Sequence, residues 1–202
     1  TLAKGKSATA SLAAKYYDRE KDELKPIPVW AIAELLSFGE FVNLYTFYYQ
    51  KYHRFPDYSA YLGSIKYLRN ACAHNNCLIY SLKKVKTFSK TKNVMIALSK
   101  AKNISDSTRE HKMSVPVLHD FVTLLFVYND LLDTPANRQM KEKNMKELNS
   151  FFRSEDGRIK TKAFYFRNNS TLVEAHAFIC CVLKYIDNAQ KGSNFKRFLK
   201  TN

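Results

Sequence analysis

Glycine and proline are scarce in this chain, and their scarcity limits the folds that it can adopt. The 202 residues include only 5 Gly and 5 Pro, while 46% of the residues are hydrophobic and 25% are charged. A β fold with many turns needs more glycine and proline, and so large a hydrophobic fraction excludes intrinsic disorder. The composition therefore predicts a single domain over residues 1–202, built from long α-helices.

Apolar side chains recur at spacings of three to five residues in several segments, which is the pattern of a helix with one buried face. The first such segment predicts a helix from Val29 to about Tyr52, bent at Gly39. We expect a loop at Ser105–Ser114. Further helices are predicted at Tyr58–Asn75, Val94–Lys100, Val117–Leu132, Asn137–Phe152 and Thr171–Asn188. The predicted fold class is all-α, a bundle of five to seven helices with basic helices from about residue 115 onward.

The sequence favours a cytoplasmic protein that has no membrane partner. Its longest apolar stretches, around Val122–Tyr128 and Phe178–Leu183, are far shorter than the roughly 20 residues of a transmembrane helix. Thr1–Ala10 contains no apolar signal core. The four cysteines form no CxxC pair, so we expect free thiols in a reducing compartment.

Basic residues far outnumber acidic ones. The chain has 33 Lys+Arg against 18 Asp+Glu, which gives a formal net charge of +15. Such an excess attracts polyanions from a distance and produces salt-dependent binding to phosphate backbones. The charge favours a nucleic acid partner, although basic domains without one also exist.

The densest polar cluster on an otherwise apolar helix runs from Arg69 to Asn76. At 3.6 residues per turn, Asn70 and His74 lie about 40° apart on one helix face. Arg69 lies about 140° from His74 around the helix, but its side chain is long enough to swing toward the imidazole. The alternative interpretation is a helix-end histidine and arginine that bond only backbone carbonyls and solvent.

These residue types suit the cleavage of RNA without a metal. That reaction needs a base for the 2′-hydroxyl, an acid for the leaving 5′-oxygen and a fixed positive charge for the phosphorane. Histidine can do either proton transfer near neutral pH, and arginine presents a planar charged fork to phosphate oxygens. Asn70 can orient His74 or bond the phosphate. One cluster supplies one histidine, so a two-fold dimer that joins two clusters would supply both groups.

The segment Leu68–His74, with the sequence LRNACAH, resembles the R-N-x-x-A-H motif of HEPN nucleases. Upstream, Ile27–Trp30 followed by Glu34–Gly39 resembles the P-x-W…E-x-x-S-F-G segment of the Abi-like (abortive infection) branch of that superfamily. The two segments occur in the right order, and together they cover about Pro26–Tyr80.

The resemblance implies a HEPN-like helical domain, a homodimer paired through the motif helix, and metal-independent endoribonuclease activity. It also implies a toxin that acts in phage defence by abortive infection, with a structured non-coding RNA as the antitoxin of some relatives. By the match, Arg69 and His74 are catalytic, Asn70 is the polar residue after the arginine, and Glu34 is a motif residue only. Relatives usually have helices before the P-x-W segment, so we expect that an N-terminal helical part is missing here.

Basic segments that alternate with aromatic residues are candidates for contact with RNA. The alternative is a solvated lysine face above an aromatic core. The candidate RNA-binding residues are Lys83, Lys84 and Lys86 directly after the motif helix, Lys160, Lys162 and Arg167 farther along, and Lys196 and Arg197 near the C-terminus.

No metal or other cofactor is predicted. His176 and Cys180 have a spacing compatible with metal binding, but no second pair completes a ligand set, so packing in the core is favoured. Besides the nuclease, two functions stay open: an RNA-binding protein without catalysis, and a helical protein–protein adaptor whose charge serves solubility.

Overall fold

The computed structural model of the protein describes residues 8–18, 20–54, 56–153, 168–191 and 198–199. These residues are mostly helical, which confirms the all-α prediction in its coarse form. The described part contains nine α-helices, so the predicted count of five to seven was wrong. The chain divides into two compact units, residues 1–55 and residues 56–202, and the expectation of a single domain stays a prediction.

The first unit begins with a helix and a short hairpin. Helix α1 spans Ala8–Lys15, and strands β1 (Tyr17–Asp18) and β2 (Glu23–Leu24) pair antiparallel. The Asp18 carboxylate accepts hydrogen bonds from two backbone N–H groups of the connecting turn, at 3.1 and 3.3 Å. Asp22 adopts the left-handed conformation, with φ of 52°. Hydrogen bonds between the Asp18 carboxylate and the turn therefore stabilise the hairpin. Helical periodicity in the sequence does not predict it.

The helix predicted from Val29 to Tyr52 is two helices, α2 (Val29–Leu35) and α3 (Phe38–Tyr52). Ser37 separates them, because it forms a capping box with Glu40. The Glu40 backbone N–H donates to the Ser37 hydroxyl at 3.3 Å, and the Ser37 N–H donates to the Glu40 carboxylate at 2.7 Å. Hydrogen bonds from the Ser37 side chain and backbone lower the pKa of Glu40. Local capping thus interrupts an apolar pattern that continues across the break.

The second unit is built around α7 (Pro116–Leu131), which packs against α4 (Ser59–Ala73), α5 (Lys92–Ser99) and α9 (Ser170–Lys191). Its residues Val122 and Phe126 are fully buried. The other described elements of this unit are α6 (Asp106–Lys112), a 3-10 turn (Pro135–Asn137) and α8 (Arg138–Arg153). None of the helices in the described ranges is both long and apolar enough to cross a membrane.

The prediction of a loop at Ser105–Ser114 was wrong, because α6 occupies most of that segment. The Ser105 hydroxyl caps the helix by accepting from the Thr108 N–H at 3.2 Å. Asp106 and Arg109 form an ion pair at 2.9 Å on successive turns. Capping and charge pairing stabilise a helix that has too few apolar residues to show a buried face in the sequence.

A buried carboxylate on α7 holds a distant part of the chain. Asp130 accepts hydrogen bonds from the backbone N–H groups of Phe198 at 3.0 Å and Leu199 at 2.8 Å. The Phe198 ring stacks on Phe126, with ring centroids 4.9 Å apart. The buried carboxylate and the two buried N–H groups are hydrogen-bonded to one another. Without these hydrogen bonds, burial of the carboxylate or of either N–H group would cost free energy.

We predict that Asp130→Ala lowers the free energy of unfolding by about 2–4 kcal/mol, because two buried N–H groups lose a charged acceptor. Asp130→Asn keeps one acceptor oxygen and is expected to cost less. Urea denaturation followed by circular dichroism measures both. The control is Glu142→Ala, which removes an exposed acid of α8 and should cost less than about 1 kcal/mol. An Asp130→Ala loss no larger than that of the control contradicts the prediction.

Candidate functional site

The C-terminal end of α4 is fixed by its backbone. His74 caps the helix, and Asn75 adopts the left-handed conformation with φ of 53°. The Asn76 N–H donates to the Ala71 carbonyl at 2.8 Å, and the Asn75 N–H donates to the Cys72 carbonyl at 3.1 Å. This pair of bonds is a Schellman motif, in which asparagine takes the position that glycine usually occupies. The motif holds the backbone of His74 at a defined point of the surface.

The three predicted catalytic residues lie at this helix end with different surroundings. His74 and Arg69 are exposed, and Asn70 is half-buried. The Arg69 guanidinium donates from Nη1 to the Asn70 side-chain oxygen at 3.2 Å. Asn70 is linked to His74 through the backbone, since its carbonyl accepts from the His74 N–H at 3.0 Å. The structure therefore brings the Arg69 and Asn70 side chains together, while His74 is joined to Asn70 through the backbone alone and is exposed to solvent.

This arrangement can bind and protonate an anion. Within the described ranges, no side chain forms a hydrogen bond with the exposed His74 imidazole, so a ligand has no internal hydrogen bond to displace there. The guanidinium carries a permanent charge and is oriented by the neighbouring amide. A proton-transfer group and an oriented cation on one helix end are two of the elements that phosphodiester cleavage requires.

The opposite side of α4 anchors the site to the core. Tyr61, Leu62 and Leu68 are buried, and α4 packs against α7 there. The Tyr61 hydroxyl accepts from the Asn93 amide of α5 at 3.1 Å, and burial raises the pKa of Tyr61. The helix that carries the candidate site is therefore tied to two neighbouring helices.

The predicted RNA-binding residues Lys83, Lys84 and Lys86 are all exposed in the segment between α4 and α5. The backbone of this segment is held by the Val85 N–H, which donates to the Ser114 carbonyl at 3.0 Å. Desolvation is the main cause that lowers the pKa of His111; the charges of Lys84 and Lys112 lower it further, and the Glu174 carboxylate opposes them.

His119 anchors the far end of the same segment, and sequence analysis did not find this role. Its Nε2 accepts from the Thr91 backbone N–H at 3.0 Å, which assigns the ring proton to Nδ1. Nδ1 lies 3.2 Å from the Asp120 carboxylate, and the Phe88 ring meets the imidazole edge-on at 5.0 Å. Thr91 and His119 are 28 residues apart, so no local signal predicts their contact.

The other predicted residues fall in two groups. Glu34 is exposed on α2 in the first unit. The basic candidates Lys160, Lys162, Arg167, Lys196 and Arg197 lie outside the described residues.

His176 and Cys180 are partly buried on α9. The His176 Nε2 lies 2.9 Å from the Phe152 carbonyl, and the Cys180 sulfur lies 3.8 Å from the same nitrogen. In the described part of the chain, no group of three or more His, Cys, Asp and Glu side chains could hold a metal ion. The four cysteines, all within the described residues, form no disulfide. His176 therefore bonds a backbone carbonyl of its own unit.

Residues 2–80 match the Abi-like protein family. The match covers about two fifths of the chain, and it includes the P-x-W segment and the whole of α4. No curated protein and no solved structure shows significant similarity to the chain. The resemblance to Abi-like proteins is thus confirmed for this N-terminal part.

We predict that Asn75→Ala destabilises the protein by about 1–2 kcal/mol, because a Cβ disfavours the left-handed conformation when no side-chain oxygen compensates. Asn75→Gly should be neutral or slightly stabilising, since glycine adopts this conformation without strain. Thermal unfolding of the two variants provides the comparison. Equal stability of both variants would show that the helix end does not depend on this conformation.

Proposed function

We propose that the protein is a metal-independent endoribonuclease with a HEPN-like helical fold, acting in phage defence by abortive infection. The observation that carries the proposal is an exposed His74 at the same helix end as the hydrogen-bonded Arg69–Asn70 pair, within the range that matches the Abi-like family. The family resemblance supports the biological role, and the chemistry of the three side chains supports the activity.

In the proposed reaction the ribose 2′-oxygen attacks the adjacent phosphorus. A histidine accepts the 2′-hydroxyl proton while the O2′–P bond forms, and the P–O5′ bond then breaks as an acid protonates the leaving oxygen. Arg69 stabilises the extra negative charge on the phosphorane, and Asn70 orients the guanidinium. The products are a 2′,3′-cyclic phosphate and a free 5′-hydroxyl.

The two proton transfers need two groups, and each chain supplies one histidine in this cluster. We therefore propose a homodimer paired through α4, in which His74 of each copy contributes to a shared site. The exposure of His74 at the end of a packed helix supports such pairing, because a second copy can approach it without unfolding.

RNA is the proposed partner, as substrate and, in structured non-coding form, as an antitoxin. The charge distribution supports this proposal: residues 58–105 contain nine Lys and Arg and no Asp or Glu. The same observation favours the second candidate function, a structured-RNA-binding protein without catalysis, because electrostatic attraction requires no chemistry.

We predict that His74→Ala lowers RNA cleavage at least about 100-fold while RNA affinity is retained, since only the proton-transfer group is lost. Labelled RNA is incubated with excess chelator, and the products are tested for a 2′,3′-cyclic end. The matched control is His53→Asn, which replaces an exposed histidine at the C-terminal cap of α3 and keeps a residue tolerant of its left-handed φ of 46°. Full activity of His74→Ala would refute the catalytic assignment, and binding without cleavage by the wild type would favour the second function.

We also predict that the active species is a dimer. Sedimentation velocity at the protein concentrations of the cleavage assay measures the mass, which is 23.5 kDa for one chain. Undiminished cleavage by a strictly monomeric protein contradicts the shared site.

A further inference from the structure

We propose that Tyr67 is a base-stacking residue that makes the α4 site selective for single-stranded RNA. The inference rests on the proposed ribonuclease function, because it states which form of RNA binds at the same site. It assigns to Tyr67 the binding of one base near, but not at, the cleaved phosphate.

Four residues form a stripe along one face of α4. Gly63, Tyr67, Asn70 and His74 follow the spacing i, i+4, i+7, i+11, which keeps them within about 60° around the helix axis. The seven residues from Tyr67 to His74 correspond to a rise of about 10.5 Å. A ligand that reaches His74 along this face therefore passes Tyr67.

Tyr67 meets solvent, unlike the tyrosine on the other side of the helix. Its side chain is 71% exposed, whereas Tyr61 is 2% exposed. Among the described residues, no aromatic ring or cation packs on the Tyr67 ring. An aromatic face that the chain itself leaves open can stack on a nucleobase of any identity.

Gly63 leaves a gap one turn before Tyr67. A Cβ placed on Gly63 would have nothing within 4 Å, so no neighbour in the described residues requires glycine there. Glycine inside a helix is less stable than alanine, and its presence fits a close approach by a ligand along the stripe.

The charge of the segment that carries the stripe favours a polyanion as the ligand. Residues 58–105, which include α4 and the exposed lysines after it, contain no acidic side chain. A second exposed tyrosine, Tyr80, follows His74 by six residues and is 90% exposed. Exposed aromatic rings in an acid-free basic segment are characteristic of surfaces that bind single-stranded nucleic acid.

Stacking on Tyr67 also explains how the site would distinguish single strands from duplexes. The bases of a duplex are stacked on one another and cannot offer a face to a side chain without unstacking. An unpaired strand offers its bases directly, and its flexible backbone can align the 2′-oxygen with the phosphorus.

Binding is measured by fluorescence anisotropy in the His74→Ala background, which prevents cleavage, with an unpaired RNA oligonucleotide and a matched duplex. Tyr67→Ala is expected to weaken binding of the single strand about 5- to 100-fold and to leave binding of the duplex unchanged. Tyr67→Phe keeps the ring and should retain the affinity, which separates stacking from loss of folding.

Two further variants sharpen the test. Gly63→Gln places a flexible, uncharged side chain in the gap, and it should weaken binding of the single strand without loss of helix content by circular dichroism. Tyr52→Ala removes an exposed tyrosine from α3, 51% accessible, and should leave the affinity within twofold.

Single-strand affinity of Tyr67→Ala within twofold of its parent overturns the inference, even if His74 proves catalytic. Loss of self-association by Tyr67→Ala with unchanged RNA affinity also overturns it, because Tyr67 would then serve the pairing through α4 and not the binding of a base. If the wild type never cleaves RNA but single-strand binding depends on Tyr67, the nuclease proposal fails and the stacking assignment stands.

Discussion

The packing of α4 against α7 decides which side chains of α4 meet solvent. Tyr61, Leu62 and Leu68 lie buried under the helix, and helical geometry then directs the residues half a turn away outward. Close-packed side chains hold their rotamers, so the helix is a rigid support for the groups on its outer face. Groups on a rigid support are already positioned when a ligand arrives, which lowers the entropy lost on binding. The outward position of Asn70 and His74 therefore depends on the burial of apolar side chains on the other side of α4.

The lysine-rich segment after α4 shows how an irregular chain can carry charge at a fixed place. Two of its backbone N–H groups donate hydrogen bonds, one to the Ser114 carbonyl and one to the His119 imidazole. These two acceptors lie on either side of the start of α7. Lys83, Lys84 and Lys86 are all exposed there, so their charges are available to a phosphate backbone without any rearrangement of the core.

Helix periodicity in the sequence predicted the long apolar helices, and the asparagines after α4 correctly predicted where that helix ends. Helix periodicity did not predict the break at Ser37, because the apolar spacing continues through it. The break is caused by a capping box that consists of one hydroxyl and one carboxylate. Periodicity also failed for α6, because capping and ion pairing, rather than a buried face, stabilise that helix.

In the candidate site, the sequence placed Asn70 and His74 on one face of α4. The hydrogen bond between Arg69 and Asn70 depends on rotamers, and the His119 contact joins residues 28 positions apart, so neither could be predicted.

The contact of Asp130 with Phe198 and Leu199 has a consequence for synthesis on the ribosome. It joins positions 68 and 69 residues apart, so α7 leaves the exit tunnel well before its backbone donors do. Until those donors arrive, hydration favours keeping the carboxylate in water, which opposes complete burial of that end of α7. The core around Phe126 can then close only after translation has passed Leu199, and a nascent chain shorter than this remains incompletely folded in its second unit.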